Sequence, residues 1–198
     1  YEKVKQGQAG AEVKLREFTY FRKSADGKDF HPIAERIEYP DADDQTKTIT
    51  TSFSYEWYSW PVRLKQRTTT LPKVPTDQNG DDTAHTIKER FDPRGRLTWR
   101  MDERGYITRF ERDALTGVVT RRIDDVDTSD SSIDPPSGWS TPADGGKHLI
   151  TDFEHDWLGR QTERLGPAHE AVVGGSAATV RTAAWTIYDE GVQADETR

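Results

Sequence analysis

Apolar and polar residues alternate along residues 91–125, as expected of β-strands that bury one face. The alternating positions of the two clearest runs are Leu97, Trp99 and Met101, then Tyr106, Thr108 and Phe110. Turns led by Asp and closed by Gly bound these runs, at 92–95, 102–105 and 113–117. The leading Asp can accept hydrogen bonds from backbone N–H groups ahead of it, and the closing Gly tolerates a positive φ. The pattern therefore predicts an all-β fold of consecutive antiparallel β-hairpins, forming an extended, twisted or spiralling sheet.

Similar patterns predict strands along most of the remaining chain. They cover 13–21, 33–39, 46–60, 62–71, 86–91, 149–155 and 180–188. The aromatic residues of the third run change face near Trp57, which predicts a β-bulge there. Asn79-Gly80 has the composition of a two-residue hairpin turn. We expect loops over 124–147 and 166–179, where Asp, Ser, Pro, Gly or other small residues accumulate.

Composition argues against a deep core. Leu, Ile, Val and Phe account for 35 of the 198 residues, which is low for a chain with a large apolar interior. Disorder is also disfavoured, because aromatic residues reach 10%, the net charge is only −7 and turns recur regularly. A thin sheet fits both observations. The acidic balance also argues against nucleic acid and anionic membranes as partners.

The chain has no Cys, and therefore no disulfide, thiolate metal site or Cys nucleophile. No run approaches the length of a membrane span and no leader pattern is present, so we predict neither membrane insertion nor a signal peptide in this segment. Because it starts at Tyr1 rather than Met, we expect one β-repeat segment, 1–198, of a longer protein. Its expected parts are divergent hairpins over 1–85, repeats over 86–125 and 148–191, and a loop insertion over 126–147.

Four stretches resemble the RHS or YD repeats of bacteria, whose usual core is an aromatic residue, Asp, two variable residues, Gly-Arg and a Leu-Thr-like pair. They are FDPRGRLTW at 91–99, TRFERDALTGVV at 108–119, FEHDWLGRQTERL at 153–165 and WTIYDEG at 185–191. The first matches nearly throughout. The second has an inserted turn residue and Val118 where Arg is usual, and in the third Asp156 follows His155 instead of an aromatic residue. The repeats cover about half of the chain.

The resemblance implies a large secreted or cell-surface protein in which β-hairpins wind into a spiralling sheet. It implies scaffolding, encapsulation or adhesion rather than catalysis. Some members of the family carry a self-cleaving core motif ahead of a toxic C-terminal domain. That motif needs several Asn residues, and this chain has Asn79 alone, so we expect neither self-cleavage nor toxicity.

The polar repeat residues are interpreted as turn-formers. They are Asp92, Gly95, Arg96, Asp102, Gly105, Asp113, Gly117, Asp156, Gly159 and Arg160. The Asp-x-x-Gly spacing satisfies the geometry of a tight turn without any further chemistry. Arg96 and Arg160 directly follow their glycines and could pair with acidic residues on neighbouring turns, where exposed ion pairs contribute about 0–1 kcal/mol each.

Two sets of aromatic residues are candidate ligand-binding residues. Tyr55, Trp57, Tyr58 and Trp60 could form a platform on which sugar rings stack, or could simply fill a thin sheet core. Trp139 stands alone in a polar loop, and could anchor that loop or a partner.

Two acidic clusters, at 41–44 and 124–130, have the oxygen density that Ca²⁺ prefers, and Asp125, Asp127 and Asp130 are the candidate metal ligands. Neither cluster has the Gly at position six or the Glu at position twelve of an EF-hand loop. A solvated acidic loop is the alternative. No other cofactor is expected.

Catalytic patterns are missing from the sequence. The His residues form no HxH or HExxH motif, GGSAA at 174–178 is not a nucleophile elbow, and no phosphate-binding loop occurs. We therefore expect a non-enzymatic scaffold, shell or filament outside the cell or at its surface, which pairs with itself or with further repeats of its parent chain. The alternative is a carbohydrate-binding adhesin module.

Overall fold

The computed structural model of the protein describes residues 1–5, 10–25, 27–59 and 63–188. These residues form an all-β structure of consecutive antiparallel strands, as predicted. Contacts divide the chain into two compact units, residues 1–105 and residues 106–198. Among the described residues, no helix has the length and apolar character needed to cross a membrane.

The described residues of the first unit form nine strands. They are β1 (Glu2–Lys5), β2 (Glu12–Tyr20), β3 (Lys23–Ala25), β4 (Lys28–Phe30), β5 (Ile33–Glu38), β6 (Ile49–Trp57), β7 (Leu64–Thr70), β8 (Thr86–Phe91) and β9 (Leu97–Met101). Strands β3 and β4 form a hairpin of their own, and the others pair in the order β1-β2-β5-β6-β7-β8-β9. Each pairing is antiparallel.

Five strands form in the second unit up to residue 188, where its described part ends. They are β10 (Ile107–Arg112), β11 (Val119–Asp124), β12 (Leu149–His155), β13 (Gln161–Val173) and β14 (Ser176–Trp185). They pair in chain order, and every pairing is antiparallel. Short connections explain three of these pairings, β10–β11, β12–β13 and β13–β14, because sequential strands joined by tight turns can pair directly. Strands β11 and β12 pair although a long segment, 125–148, lies between them.

The buried side chains of the second unit mark a small core. They are Ile107, Ile123, Val126, Trp139 and Thr151, each at most 5% exposed. Two of them, Val126 and Trp139, lie between β11 and β12, in the segment predicted as a loop insertion. Val126 donates its backbone N–H to the carbonyl of Ile107 over 2.9 Å. This segment therefore begins by continuing the backbone pairing with β10, and it adds buried side chains to the core. The alternation instead predicts the opposite residues of β10, from Tyr106 to Phe110, as its apolar face.

The predicted loop over 166–179 is wrong. These residues belong to β13 and β14, which pair from Glu163 opposite Trp185 to Val173 opposite Ser176. Gly174 and Gly175 form the connection, with φ values of 60° and 84°. Small residues form a backbone ladder as readily as large ones once a partner strand is adjacent, so composition alone misled the prediction.

Asn79-Gly80 does not form a two-residue hairpin. It follows a short 3₁₀ helix, Thr76–Gln78, where Asn79 adopts a left-handed conformation with φ of 67°. Gly80 donates its N–H to the carbonyl of Pro75 over 3.0 Å. Strand β7 ends at Thr70 and β8 begins at Thr86. The dipeptide therefore ends a short helix within a loop and does not join two strands directly.

The predicted β-bulge near Trp57 is confirmed. The register of β6 against β7 shifts between Glu56 and Trp57. Strand β6 is shorter than predicted, because it begins only at Ile49. Before it, Oδ1 of Asp44 accepts hydrogen bonds from the backbone N–H and the hydroxyl of Thr46, at 3.1 and 2.5 Å.

Candidate functional site

The turn that begins at Asp92 is built around both oxygens of one carboxylate. Oδ1 accepts the backbone N–H groups of Arg94 and Arg96, each at 2.9 Å. Oδ2 accepts Nε of Arg96 at 2.7 Å. The carbonyl of Asp92 accepts the N–H of Gly95 at 2.8 Å, and Gly95 closes the turn with φ of 83°. One Asp therefore satisfies most of the polar groups of its own turn.

The turn that begins at Asp156 repeats this arrangement in the second unit. Oδ1 accepts the N–H groups of Leu158 and Arg160 at 3.0 and 2.9 Å, and Oδ2 accepts Nε of Arg160 at 2.6 Å. Gly159 donates to the carbonyl of Asp156 at 2.9 Å and has φ of 78°. Arg96 and Arg160 each form an ion pair with the Asp that begins their own turn.

The hydrogen bonds lower the pKa of both turn carboxyls. Burial opposes ionisation of Asp92, but donors from Arg96 and Arg94 outweigh it and hold its pKa below the usual value. The pKa of Asp156 is lowered in the same way, against burial, by Arg160 and Leu158. Donors aimed at a carboxylate stabilise its charged form. Both turns therefore favour an ionised Asp at neutral pH.

The other two turns are variants of this arrangement. Asp102 accepts the N–H of Arg104 at 3.0 Å, and Gly105 donates to its carbonyl at 3.0 Å. Asp113 begins the turn with one extra residue, and its Oδ1 accepts the N–H and hydroxyl of Thr116 at 2.7 and 2.8 Å. Gly117 and Gly105 again have positive φ, of 80° and 88°.

Two of the predicted aromatic residues line a cleft of about 340 Å³ in the first unit, the aromatic groove. Its lining residues are Phe21, Arg22, Lys23, Pro32, Ser54, Tyr55 and Trp57. The ring of Tyr55 meets Phe21 edge to face at 6.2 Å and 89°, and lies 5.9 Å from the ring of Trp57 at 34°. Phe21 is 46% exposed, so the groove presents aromatic surface to solvent.

Hydrogen bonds fix the shape of the aromatic groove. The hydroxyl of Tyr55 donates to the carbonyl of Ile33 at 2.7 Å, and burial raises the pKa of that hydroxyl. The N–H of Phe21 donates to the carbonyl of Pro32 at 2.9 Å. This bond joins the two ends of the segment that contains β3 and β4. Sequence reasoning missed Phe21, because its approach to Tyr55 depends on the pairing of β2, β5 and β6.

The remaining aromatic candidates do not line the groove. The bulge redirects Tyr58, whose hydroxyl donates to the carbonyl of Phe91 at 2.7 Å. Trp60 lies outside the described residues. Trp139 is 5% exposed and belongs to the core of the second unit. So buried a side chain leaves little surface for a ligand in this structure.

The acidic candidates for Ca²⁺ bond to their own loop. Asp125 accepts the N–H groups of Gly146 and Lys147 at 2.8 and 3.0 Å. Asp127 accepts the N–H and hydroxyl of Ser129 at 2.9 and 2.7 Å, and Asp130 accepts the N–H of Ser132 at 2.8 Å. Within the described ranges, no three His, Asp or Glu residues form a group that could hold a metal ion. The calcium site thus gains no support.

Exposed apolar residues at the turns of the second unit were not predicted as a surface. Leu115 is 92% exposed, and Trp157 and Leu158 are 80% and 53% exposed. The first belongs to the turn that begins at Asp113 and the other two to the turn that begins at Asp156. These residues stand at the variable positions of their turns, between the leading Asp and the closing Gly. Their exposure follows from this position, because the turn depends on the Asp and the Gly.

A scan against models of known protein families finds no match, and a search of curated proteins also finds none.

Proposed function

We propose that this protein is a structural, non-enzymatic segment of an RHS/YD-type repeat protein and contributes to a β-sheet scaffold outside the cell or at its surface. The observation that carries the proposal is the repeated hydrogen-bond set of the turns at Asp92 and Asp156, which belong to different units. A scaffold of hairpins needs the same connection each time, whereas a catalytic loop has no reason to recur.

The strand order explains how such a segment contributes to a scaffold. Each hairpin pairs with the strand before it, so stability is a sum of terms between neighbours instead of one deep core. The few buried side chains of each unit agree with this thin construction. We propose further copies of the chain, or further repeats of its parent, as partners, because open strand edges pair readily with other strands.

Surface labelling tests this function. An antibody raised against the purified chain is applied to intact and to permeabilised cells of the source organism. We expect it to label intact cells, and protease treatment of intact cells to remove the label. An antibody against a cytoplasmic protein serves as the control for leakage. Labelling that requires permeabilisation would overturn the proposed location and, with it, the scaffold outside the cell.

The aromatic groove favours a second candidate function, the binding of a saccharide. Sugar rings have a flat apolar face that packs on aromatic rings, and their hydroxyls need polar partners at the rim. Phe21, Tyr55 and Trp57 supply the apolar walls, while Lys23 and Ser54 lie among the polar lining residues. The hydroxyl of Tyr55 holds its ring in place before any ligand arrives, which reduces the entropic cost of binding.

A glycan array followed by calorimetry tests this second function. We expect Trp57→Ala to abolish binding of any glycan that the protein retains. Trp157→Ala is the matched control, since it removes an exposed Trp of the second unit and leaves the groove intact. Tyr55→Phe keeps the ring but loses the hydrogen bond to Ile33, and should weaken binding less than Trp57→Ala does. No binding across a broad array would end this candidate.

A further inference from the structure

The two outermost strands in the sheet order differ in how well they resist pairing. Strand β1 has four residues, EKVK, of which three are charged, and its Lys3 pairs with Glu12 at 2.6 Å. Strand β14 has ten residues, SAATVRTAAW, with a single charge and no Pro. Natural proteins protect strand edges with short length, charge or Pro. By these criteria β1 is protected and β14 is not; no described strand pairs with the outer edge of β14.

The single charge of β14 is compensated within its own sheet. Arg181 donates through Nε to the carbonyl of Gly166 at 2.6 Å and through Nη1 to Asp152 at 2.7 Å. Its Nη2 donates to the carbonyls of Ile150 and Leu165 at 3.2 and 3.0 Å. The guanidinium is therefore directed across β13 toward β12, and it does not keep another strand away from the outer edge of β14.

The outer half of the β13–β14 hairpin forms a two-stranded ribbon. In the described pairings β12 contacts β13 only from Gln161 to Leu165, whereas β13 and β14 continue together as far as Val173 and Ser176. Val172 and Val173 are 77% and 57% exposed. A ribbon of two strands is marginally stable in water, and a third strand adds hydrogen bonds and apolar cover.

The β14 side of the ribbon is the better side for an added strand. The β13 side begins with Pro167, which has no N–H to donate, and continues with His169 and Glu170. The β14 side offers Ala, Thr and Val over the same length. An added strand would therefore form an uninterrupted backbone ladder along β14.

We propose that β14 pairs antiparallel with β14 of a second copy of this chain, about a two-fold axis at Val180. This inference rests on the proposed scaffold function and identifies the strand through which copies of the chain associate. In this register Arg181 of one copy lies opposite Thr179 of the other, so the only charge of the strand does not face itself. Pairing of β14 with β1 of another copy would place charged side chains along the ladder and leave an open chain of copies. The two-fold arrangement closes instead.

Single cysteines test the register, since the chain has no Cys of its own. Ala178→Cys, Thr179→Cys, Val180→Cys and Thr182→Cys are compared in the full chain under mild oxidation. We expect Val180→Cys to give several-fold more disulfide-linked dimer than the other three, because only residue 180 faces its own counterpart across the axis. Val4→Cys on β1 is the control and should form little disulfide-linked dimer.

Analytical ultracentrifugation of the unmodified chain and of two variants completes the test. We expect a dimer for the unmodified chain and for Val180→Gln. Val180→Lys should shift the equilibrium to monomer, because residue 180 faces its own counterpart and the two Lys charges repel each other, while circular dichroism stays unchanged. Any one of three results would overturn the inference: an unmodified chain that is monomeric, equal crosslinking at all four positions of β14, or crosslinking of Val4→Cys. Surface labelling is independent of these results, so a failure of the dimer and a failure of the scaffold function are distinguishable.

Discussion

Asp92 shows how one side chain determines a local backbone conformation. Its carboxylate accepts two backbone N–H groups and the guanidinium of Arg96, all within five residues of chain. The donors come from the same turn, so ordering one side chain satisfies several polar groups at once. We infer that these residues serve the turn first, and that sequence variation in the repeats is tolerated at the positions between Asp and Gly.

Replacement of Asp92 therefore has a predictable cost. We expect Asp92→Ala to lower the free energy of unfolding by about 1 kcal/mol, because it removes the acceptor that caps the turn. Asp92→Asn keeps one oxygen acceptor and loses the charge, so its loss should be smaller. Urea unfolding followed by circular dichroism measures both. Glu103→Ala, an exposed residue of the next turn, is the control; a loss as large as that of Asp92→Ala would contradict the role of the carboxylate.

Trp139 and Trp157 form a matched pair for the importance of burial. Trp139 is 5% exposed and Trp157 is 80% exposed, and both lie between strands of the second unit. We expect Trp139→Ala to cost about 3 kcal/mol, because it removes a large buried side chain and leaves a cavity. Trp157→Ala should change stability little. Thermal and urea unfolding of the two variants compare them directly, and equal stability would show that the loop of Trp139 does not contribute to the core.

At the scale of elements, prediction succeeded where turn chemistry and alternation agreed. The hairpins around Asp92 and Asp156 follow from local sequence, because the turn residues specify both the reversal and the register of its strands. The outer β13–β14 hairpin could not be predicted in this way. Its Ala, Ser and Thr residues have no alternating pattern, and their strand conformation depends on the partner strand.

The same distinction applies to the candidate site. Tyr55 and Trp57 were identifiable from their period-two spacing, and the bulge that redirects Tyr58 was also predicted. Phe21 was not, since it reaches Tyr55 through the pairing of strands distant in sequence. The burial of Trp139 was not predictable either, because it depends on how a long polar loop folds, and local composition contains no such information.

The turn of the β13–β14 hairpin provides a test at this scale. Gly174 and Gly175 have φ values of 60° and 84°, which side chains with a Cβ rarely adopt. We expect Gly175→Ala to lower the free energy of unfolding by about 1 kcal/mol. Gly174→Asn should cost less, because Asn tolerates the left-handed region. Gly166→Ala, at a position without positive φ where an added Cβ would meet no atom closer than 3.4 Å, is the control. Differential scanning calorimetry measures the three variants, and an unchanged Gly175→Ala would contradict the turn geometry.

At the scale of the whole molecule, stabilised carboxylates occur in both units. The pKa of Asp41 is lowered by the side chain of Lys47 and by backbone N–H groups of its loop. The pKa of Asp152 is lowered by hydrogen bonds from Arg121 and Arg181, which outweigh its burial. The stability of strands and turns therefore depends on the ionised state of Asp41, Asp92 and Asp152.

Acidification should therefore destabilise the protein. A carboxyl whose pKa is lower in the folded chain than in the unfolded chain stabilises the fold above the unfolded value, about 4, and this contribution disappears as the pH falls through the folded value. We expect the free energy of unfolding to stay nearly constant from pH 7 to about 5 and to fall below about pH 4. Urea titrations at constant ionic strength measure this profile. Asp152→Asn should flatten its acidic limb, since the amide cannot ionise, while Trp157→Phe should leave the limb unchanged. Stability that increases on acidification would contradict the stabilising role of these carboxylates.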